Sequence, residues 1–317
     1  MMLSVDGFSC LGAFGQGPEA LCSALASPPV LLPEVDTAGL TAYFSPRAIR
    51  GSDRFSRLAL LGACLALEDA SFPPTGADAG FERWGIVLAS GYGPVTPTLE
   101  FIDSLETYGQ AMASPLAFSH SVHNIPAAVI AKTVAIVGPC STVCVIENPV
   151  ASGLLLAWAW LQEGRVDHVL FGAVDEVTPT LARTTERIVT ERLMPEYRSR
   201  KDYPVCDGAC FFCLSRDGAR YRGGIQSVSL TASGCAVLEP DAAPGLRFLS
   251  GAVSSKMRAE SKAVDGSAAY GNIPVAQAFD CVAALWQMAQ QPKGGRALSI
   301  HTDRGLCGVV SLTGKGA

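Results

Sequence analysis

Between residues 138 and 175 the spacing of apolar and polar positions changes period twice. Gly138 and Pro139 are followed by Ser141, Thr142, Val143, Cys144, Val145 and Ile146, a β-branched, apolar run that reads as a buried strand. It stops at Glu147. Asn148 suits an N-cap and Pro149 a first helical position, so the spacing predicts a helix through Leu154, Leu156, Trp158 and Leu161 to Gly164. Val166 to Ala173 predicts the next strand. The three segments make a β-α-β unit with a sharp elbow, and the elbow side chain, Glu147, faces a helix N-terminus.

The same pattern extends in both directions. Met2 to Leu11 reads as a strand with a glycine turn, and residues 12–52, rich in Pro, Ala and Gly, as a short helix plus loops. After Asp53 the run LALLGACLALEDA is apolar nearly all round, which predicts a buried helix. Trp84 to Ser90 is a further buried strand, closed by the turn Gly91 to Pro94, and Thr98 to Tyr108 reads as helix. Tyr203 to Ser215 and the segment GARYRGGIQSVSL supply two more strands, Tyr270 to Met288 a helix, and Arg304 to Leu312 a turn and last strand.

Composition narrows the class. A chain of 317 residues with 49% hydrophobic and 17% charged content buries a large core, as one α/β domain or two fused halves. A net charge of −5 without a Lys/Arg-rich run argues against nucleic acid or an anionic membrane surface as partner. No apolar run reaches the roughly 18 residues of a membrane span and no leader pattern opens the chain, so the expectation is a cytoplasmic protein without membrane insertion. The eleven cysteines fall singly on apolar segments, as at Cys64, Cys235 and Cys281, which predicts reduced core thiols rather than disulfides.

Several side chains invite a chemical role and a plainer one. Cys140 and Cys144 lie inside the strand before the elbow, where packing or an interface competes with nucleophilic use. Cys206, Cys210 and Cys213 have metal-like spacing, but a strand turns Cys206 and Cys210 to one side and Cys213 to the other, and no second pair recurs; core packing, and no metal, is expected. His120 and His123 fall on a predicted loop and either line a tunnel or face solvent. Gly91 to Gly93 and Gly305 to Gly308 lack a phosphate-binding pattern and serve tight turns.

The order Gly-Pro, strand, elbow, small apolar helix and Asp-x-Val-Leu-x-Gly-Ala resembles the nucleophile region of the β-ketoacyl synthases. The Asp53-Arg54-Phe55 helix entry, the segment SPLAFSHSVHNIPAAVIAKTVAIVGP and the degraded turn RGLCGVVSL resemble further stretches of that family, so the likeness spans nearly the whole chain. It implies a thiolase-like five-layer αβαβα fold, in halves 1–200 and 201–317 with the second shortened around residues 235–270. It also implies an acyl-carrying cysteine at the elbow and two histidines in the second half. Here those positions hold Glu147, Ser250 and Asn272, and the expected lysine is Ser267. A carboxylate suits a helix N-terminus, by about 0.3–1 kcal/mol, but forms no thioester. No catalytic residue of the condensing reaction is therefore expected, and no cofactor.

A ketosynthase-like chain without these groups resembles the chain length factors of type II polyketide and aryl polyene pathways, which are related to fatty acid synthesis. Such a subunit pairs with an active ketosynthase and receives acyl carrier protein bearing malonyl or acyl chains. The resemblance nominates Phe118, His120, Ser141, Val143, Val145 and Glu147 as tunnel or interface residues. The alternatives are a malonyl-carrier-protein decarboxylase of the same fold and a purely structural partner subunit.

Overall fold

The computed structural model describes residues 2–27, 34–74, 80–190, 205–216, 218, 222–232, 245–251, 263–291 and 295–315. Its elements follow in chain order. The first half holds β1 (Leu3–Gly12), β2 (Gly15–Gln16), α1 (Pro18–Ala26), α2 (Pro46–Ile49), α3 (Arg54–Asp69), β3 (Trp84–Ser90), α4 (Val95–Tyr108), α5 (Pro115–Ser121), α6 (Ile125–Val134), β4 (Cys140–Cys144), α7 (Pro149–Gln162), β5 (His168–Asp175) and α8 (Pro179–Thr190). Then come β6 (Gly208–Ser215), β7 (Gly223–Thr231), β8 (Leu246–Gly251), β9 (Val264–Asp265), α9 (Ser267–Tyr270), α10 (Ala276–Ala289), β10 (Arg296–Asp303) and β11 (Leu306–Gly314).

Strand pairing repeats itself. The first half orders its strands β4-β3-β5-β6-β1 and the second β9-β8-β10-β11-β7. In each, the second strand of the repeat lies parallel to the third and fourth, while the fifth runs antiparallel to the fourth and first. This is the mixed α/β, thiolase-like arrangement. A short antiparallel contact of β1 with β7, Leu3 to Val5 against Ile225 to Gly223, joins the repeats. By pairing, β6 lies between β5 and β1 and belongs to the first repeat. The third strand of the second repeat, β9, has two residues where β4 has five; most of residues 235–270, where the second half was expected to be shortened, lies outside the described residues.

Both faces of the first sheet are buried, which explains its uninterrupted apolar runs. Along β3, Val87 and Ala89 point into one core and Ile86 and Leu88 into another; along β6, Phe212 and Leu214 alternate with Phe211 and Cys213. The outer core lies under α3 and α6, with Leu58, Leu61 and Ile130 against the sheet. The inner core lies under α7 and α10, and both helices also touch strands of the other sheet, so they form the middle layer. Helix α3 begins where Asp53 accepts a hydrogen bond from the Ser56 N–H at 2.9 Å, a side-chain cap.

One strand departs from the sequence reading. β4, expected to be buried, is exposed or half-exposed at every residue, because it ends the sheet and pairs only with β3 among the described strands. No described helix is long and apolar enough to cross a membrane.

Candidate functional site

The elbow forms where β4 ends and α7 begins. The Val145 N–H donates to the Ser90 carbonyl at 3.0 Å, holding the last turn of β4 on β3. Asn148 precedes the helix as expected but makes no side-chain cap. Its backbone is left-handed (φ 54°, ψ 49°), whereas a capping Asn is ordinarily extended, and its carboxamide turns inward instead. There it lies against Gly308 of β11, where a Cβ would come within 2.4 Å of Asn148 Oδ1. Asn148 is fully buried, and neither its oxygen nor its nitrogen has a hydrogen-bond partner.

Glu147 is paired within the chain. Arg304 Nη1 donates to Glu147 Oε1 at 3.0 Å, and both side chains are partly exposed. Arg304 and Gly305 are the two residues between β10 and β11, and both have positive φ, 44° and 83°. Two positive φ values are what a tight hairpin matching the twist of its strands requires, and glycine supplies the second without cost. An arginine in the left-handed region is uncommon, and here its side chain is spent on the elbow carboxylate.

The second-half positions fall on a strand, a short helix and a loop. Ser250 lies one residue before the end of β8, and its hydroxyl is 3.0 Å from Nδ1 of His301 on β10; both are buried. His301 pairs across β10 and β11 with Gly308, the residue under Asn148. Gln277 of α10 donates to the carbonyls of Ser299 and Gly308 at 3.2 and 3.0 Å, fixing this corner. Asn272 is buried on the loop before α10, where Pro274 packs on Gly91 at the end of β3. Ser267 is the first residue of α9, and its hydroxyl donates to the Asp265 carboxylate at 2.7 Å. The turn after β10 thus joins Glu147 to the strand that carries the partner of Ser250.

Beneath the elbow lies a buried acidic group. Burial raises the Asp175 carboxyl to about 6, against hydrogen bonds from the Ser90 hydroxyl and the N–H groups of Gly91 and Tyr92. Burial likewise raises Glu176 to about 7, although the Thr96 N–H donates to it at 3.1 Å and Arg54 stands 3.9 Å away. Asp207 is fully buried and held by both Arg54 terminal nitrogens and by the N–H groups of Val177 and Val35.

The thiols are poorly placed as substitutes for the missing nucleophile. Burial, reinforced by Asp175, pushes Cys144 up to about 11, and burial raises Cys140, so both stay protonated near neutrality. Cys210 and Cys213 sit on opposite faces of β6, and no metal-binding cluster occurs among the described residues. Cys307 departs from the expectation of reduced thiols: it is disulfide-bonded, while the other described cysteines are free. That expectation rested on compartment rather than on which sulfurs the fold brings together. A cavity of about 400 Å³, lined by residues such as Cys10, Asp69 and Trp286, includes none of the elbow residues.

The tunnel and interface candidates lie on α5, on β4 and at the elbow. Phe118 of α5 is 55% exposed and stacks obliquely on Phe101 of α4, ring centroids 5.2 Å apart. His120 is half-buried at the end of α5, a helix where a loop was expected, and His123 follows, exposed. Ser141 and Val143 are half-buried on β4, Val145 is exposed and Glu147 half-buried. Of the thirteen large hydrophobic side chains exposed among the described residues, ten fall between Ile102 and Leu155. They lie on α4 to α7 and around β4. Sequence reading missed Arg304 and His301; a positively charged residue before glycine in a two-residue turn, and a histidine inside an apolar strand, were the available signals.

Residues 77–190 match the family described as beta-ketoacyl synthase, N-terminal domain. The whole chain superposes on the ishigamide ketosynthase/chain length factor with a TM-score of 0.77 at 19% identity, over 99% of both chains. It superposes on a type II polyketide synthase acyl-carrier protein complex with its ketosynthase at 0.79 and 13%, again over 99% of each. A beta-ketoacyl synthase from Burkholderia phymatum STM815 aligns at 0.75 and 14%, over 99% of each chain. No curated protein matches the chain in sequence. In its family match over residues 77–190 and in its fold throughout, the chain is ketosynthase-like.

Proposed function

We propose that this ketosynthase-like chain is a non-condensing subunit, a chain length factor, that pairs with an active ketosynthase and closes one end of a shared acyl tunnel. The observation that carries the reading is the elbow: a carboxylate tied to Arg304 stands where the condensing reaction needs a thiolate. The second-half positions support it. Ser250 is bound to His301 rather than free to polarise a thioester, and Asn272 offers an amide in place of an imidazole. The unpaired edge of β4 and the apolar face beside it support a protein partner, because an exposed strand edge of this kind is a template for sheet extension.

In this reading the partner's cysteine holds the growing chain, acyl carrier protein delivers malonyl units, and Phe118, His120, Ser141, Val143 and Val145 border the tunnel or the interface. Type II polyketide and aryl polyene synthesis are the processes such a subunit serves, in the cytoplasm. The test is co-expression with a candidate ketosynthase and assay with malonyl carrier protein. A complex that condenses only with the partner's cysteine intact, and that makes products of altered length when Phe118→Ala is introduced, is the expected result. Condensation by this chain alone refutes the reading. Carbon dioxide release from malonyl carrier protein without condensation replaces it with a decarboxylase, for which His301, buried beside Ser250, is a candidate imidazole.

A further inference from the structure

We infer that the cavity of about 400 Å³ beside β1 is a binding site for a small uncharged peptide unit, an amino acid capped at both ends and carrying an apolar side chain. The inference goes beyond the chain length factor reading and does not depend on it, because the cavity holds no elbow residue. It starts from a gap in the sheet. β1 pairs with β6 along nearly its whole length, but its other edge meets β7 only at Leu3 to Val5 and β2 only at Leu11 and Gly12. No described strand covers the stretch between. The Phe8 N–H donates there to Asp69 Oδ2 at 3.0 Å, and the Cys10 carbonyl accepts from the Gly17 N–H at 2.8 Å, so both residues turn their peptide groups away from β6. The N–H and C=O of one strand residue point to the same side, which sends the Phe8 carbonyl and the Cys10 N–H to this edge too. Neither has a hydrogen-bond partner among the described residues, and Phe8, Ser9 and Cys10 line the cavity.

A carbonyl and an N–H two residues apart on one edge are what a parallel ladder offers a single facing residue, whose own N–H and C=O fill them. Buried backbone groups seldom stay unpaired, and a ligand that completes this pair breaks no bond within the chain. The walls select the rest of the ligand. Phe8, Pro18, Leu65 and Trp286 suit an apolar side chain, and the volume is that of a small-molecule pocket. Asp69 and Arg222 are paired at 3.0 Å, so the wall carries no net charge and favours an uncharged ligand. That pair bounds the gap at Phe8, the start of α1 bounds it at Cys10, and α3 and α10 cover the two faces. The space therefore takes one residue with its caps, not a continuing strand.

The experiment titrates the full chain by calorimetry with N-acetyl-L-leucinamide, which supplies both the N–H and the C=O, and with its ester analogue, in which oxygen replaces the acetamido N–H. The expected result is saturable binding of the amide on the order of millimolar, with the ester weaker by about fivefold for the lost hydrogen bond. Ala289→Trp, which brings an indole to the cavity from an exposed position of α10, abolishes binding; Gln290→Trp, also exposed, serves if the first variant does not fold. No saturation by the wild type, equal affinity for amide and ester, or binding that survives the tryptophan variant each overturns the inference. These failures leave the chain length factor reading standing, because the elbow carries it. Condensation by the isolated chain would sink that reading and leave the titration valid.

Discussion

Gly308→Ala probes the contact that braces the elbow. The added Cβ would lie 2.4 Å from Asn148 Oδ1 and 2.9 Å from the Ala151 Cβ, both closer than carbon tolerates. Strand β11 cannot slide away easily, since Gln277 donates to the Gly308 carbonyl and β10 and β7 flank the strand. Overpacking of this sort costs about 1–3 kcal/mol, and the upper half of that range is expected here because Ala151 has no rotamer to give. Asn148→Gly removes one of the two clashes, and glycine adopts the left-handed backbone of position 148 without the roughly 1–2 kcal/mol penalty of other residues. The double variant should therefore be more stable than the sum of the single effects by on the order of 1 kcal/mol, the Ala151 contact remaining. Urea unfolding of the four proteins measures it. Additivity within about 0.5 kcal/mol would mean that Asn148 is not wedged against β11, and the account of the elbow would fail.

Other variants test neighbouring claims. Glu176 has a folded pKa raised from 4.5 to about 7, so its stabilising contribution is complete below pH 4.5 and is lost as pH rises through 7. Glu176→Gln should remove a decline on the order of 3 kcal/mol across that window, read as unfolding free energy against pH; an unchanged slope refutes the assignment. His168, stacked on Trp84, has a pKa lowered by burial, so its contribution is present above 6.5 and lost as pH falls below it; His168→Phe should flatten that acid limb. Arg54→Met leaves the buried Asp207 carboxylate with only backbone donors and should cost about 3 kcal/mol, with a loss under 1 kcal/mol counting against the pair. Val145→Asp, on the exposed end of β4, should leave the chain folded and prevent copurification with a ketosynthase.

The elements legible in the sequence were those with one period and local signals. Trp84–Ser90 appears with the bounds read from its apolar run, and α3 starts at the Asp53 cap. Helix α4 begins earlier than Thr98 because Pro97 sits in the first turn, where its missing N–H has no helical partner to lose. The loop read at His120 is helical because Ser114 caps it, accepting from the Ala117 N–H, and Pro115 starts it. What the sequence hid is long-range. Glu147 and Arg304 are separated by 157 positions, and nothing local marks an ion pair between them. Burial of β4 was misjudged for a related reason: an apolar strand states what it would cover, not whether its own chain supplies the cover.

The repeat in the fold fixes which edge can take a partner. Each five-stranded unit ends on its third strand, so the continuous sheet has two candidate edges, β4 and β9. β9 offers two residues, too few for a ladder that would offset the ordering of a partner strand. β4 offers five, flanked by α6 and α7 and by most of the exposed apolar side chains. Among the described strands sheet extension is therefore favoured at β4, and the residue that follows β4 by the shortest path is the elbow. On the proposed chain-length-factor reading, loss of the thiol in this chain need not abolish a tunnel, because a partner laid on β4 would supply the other wall.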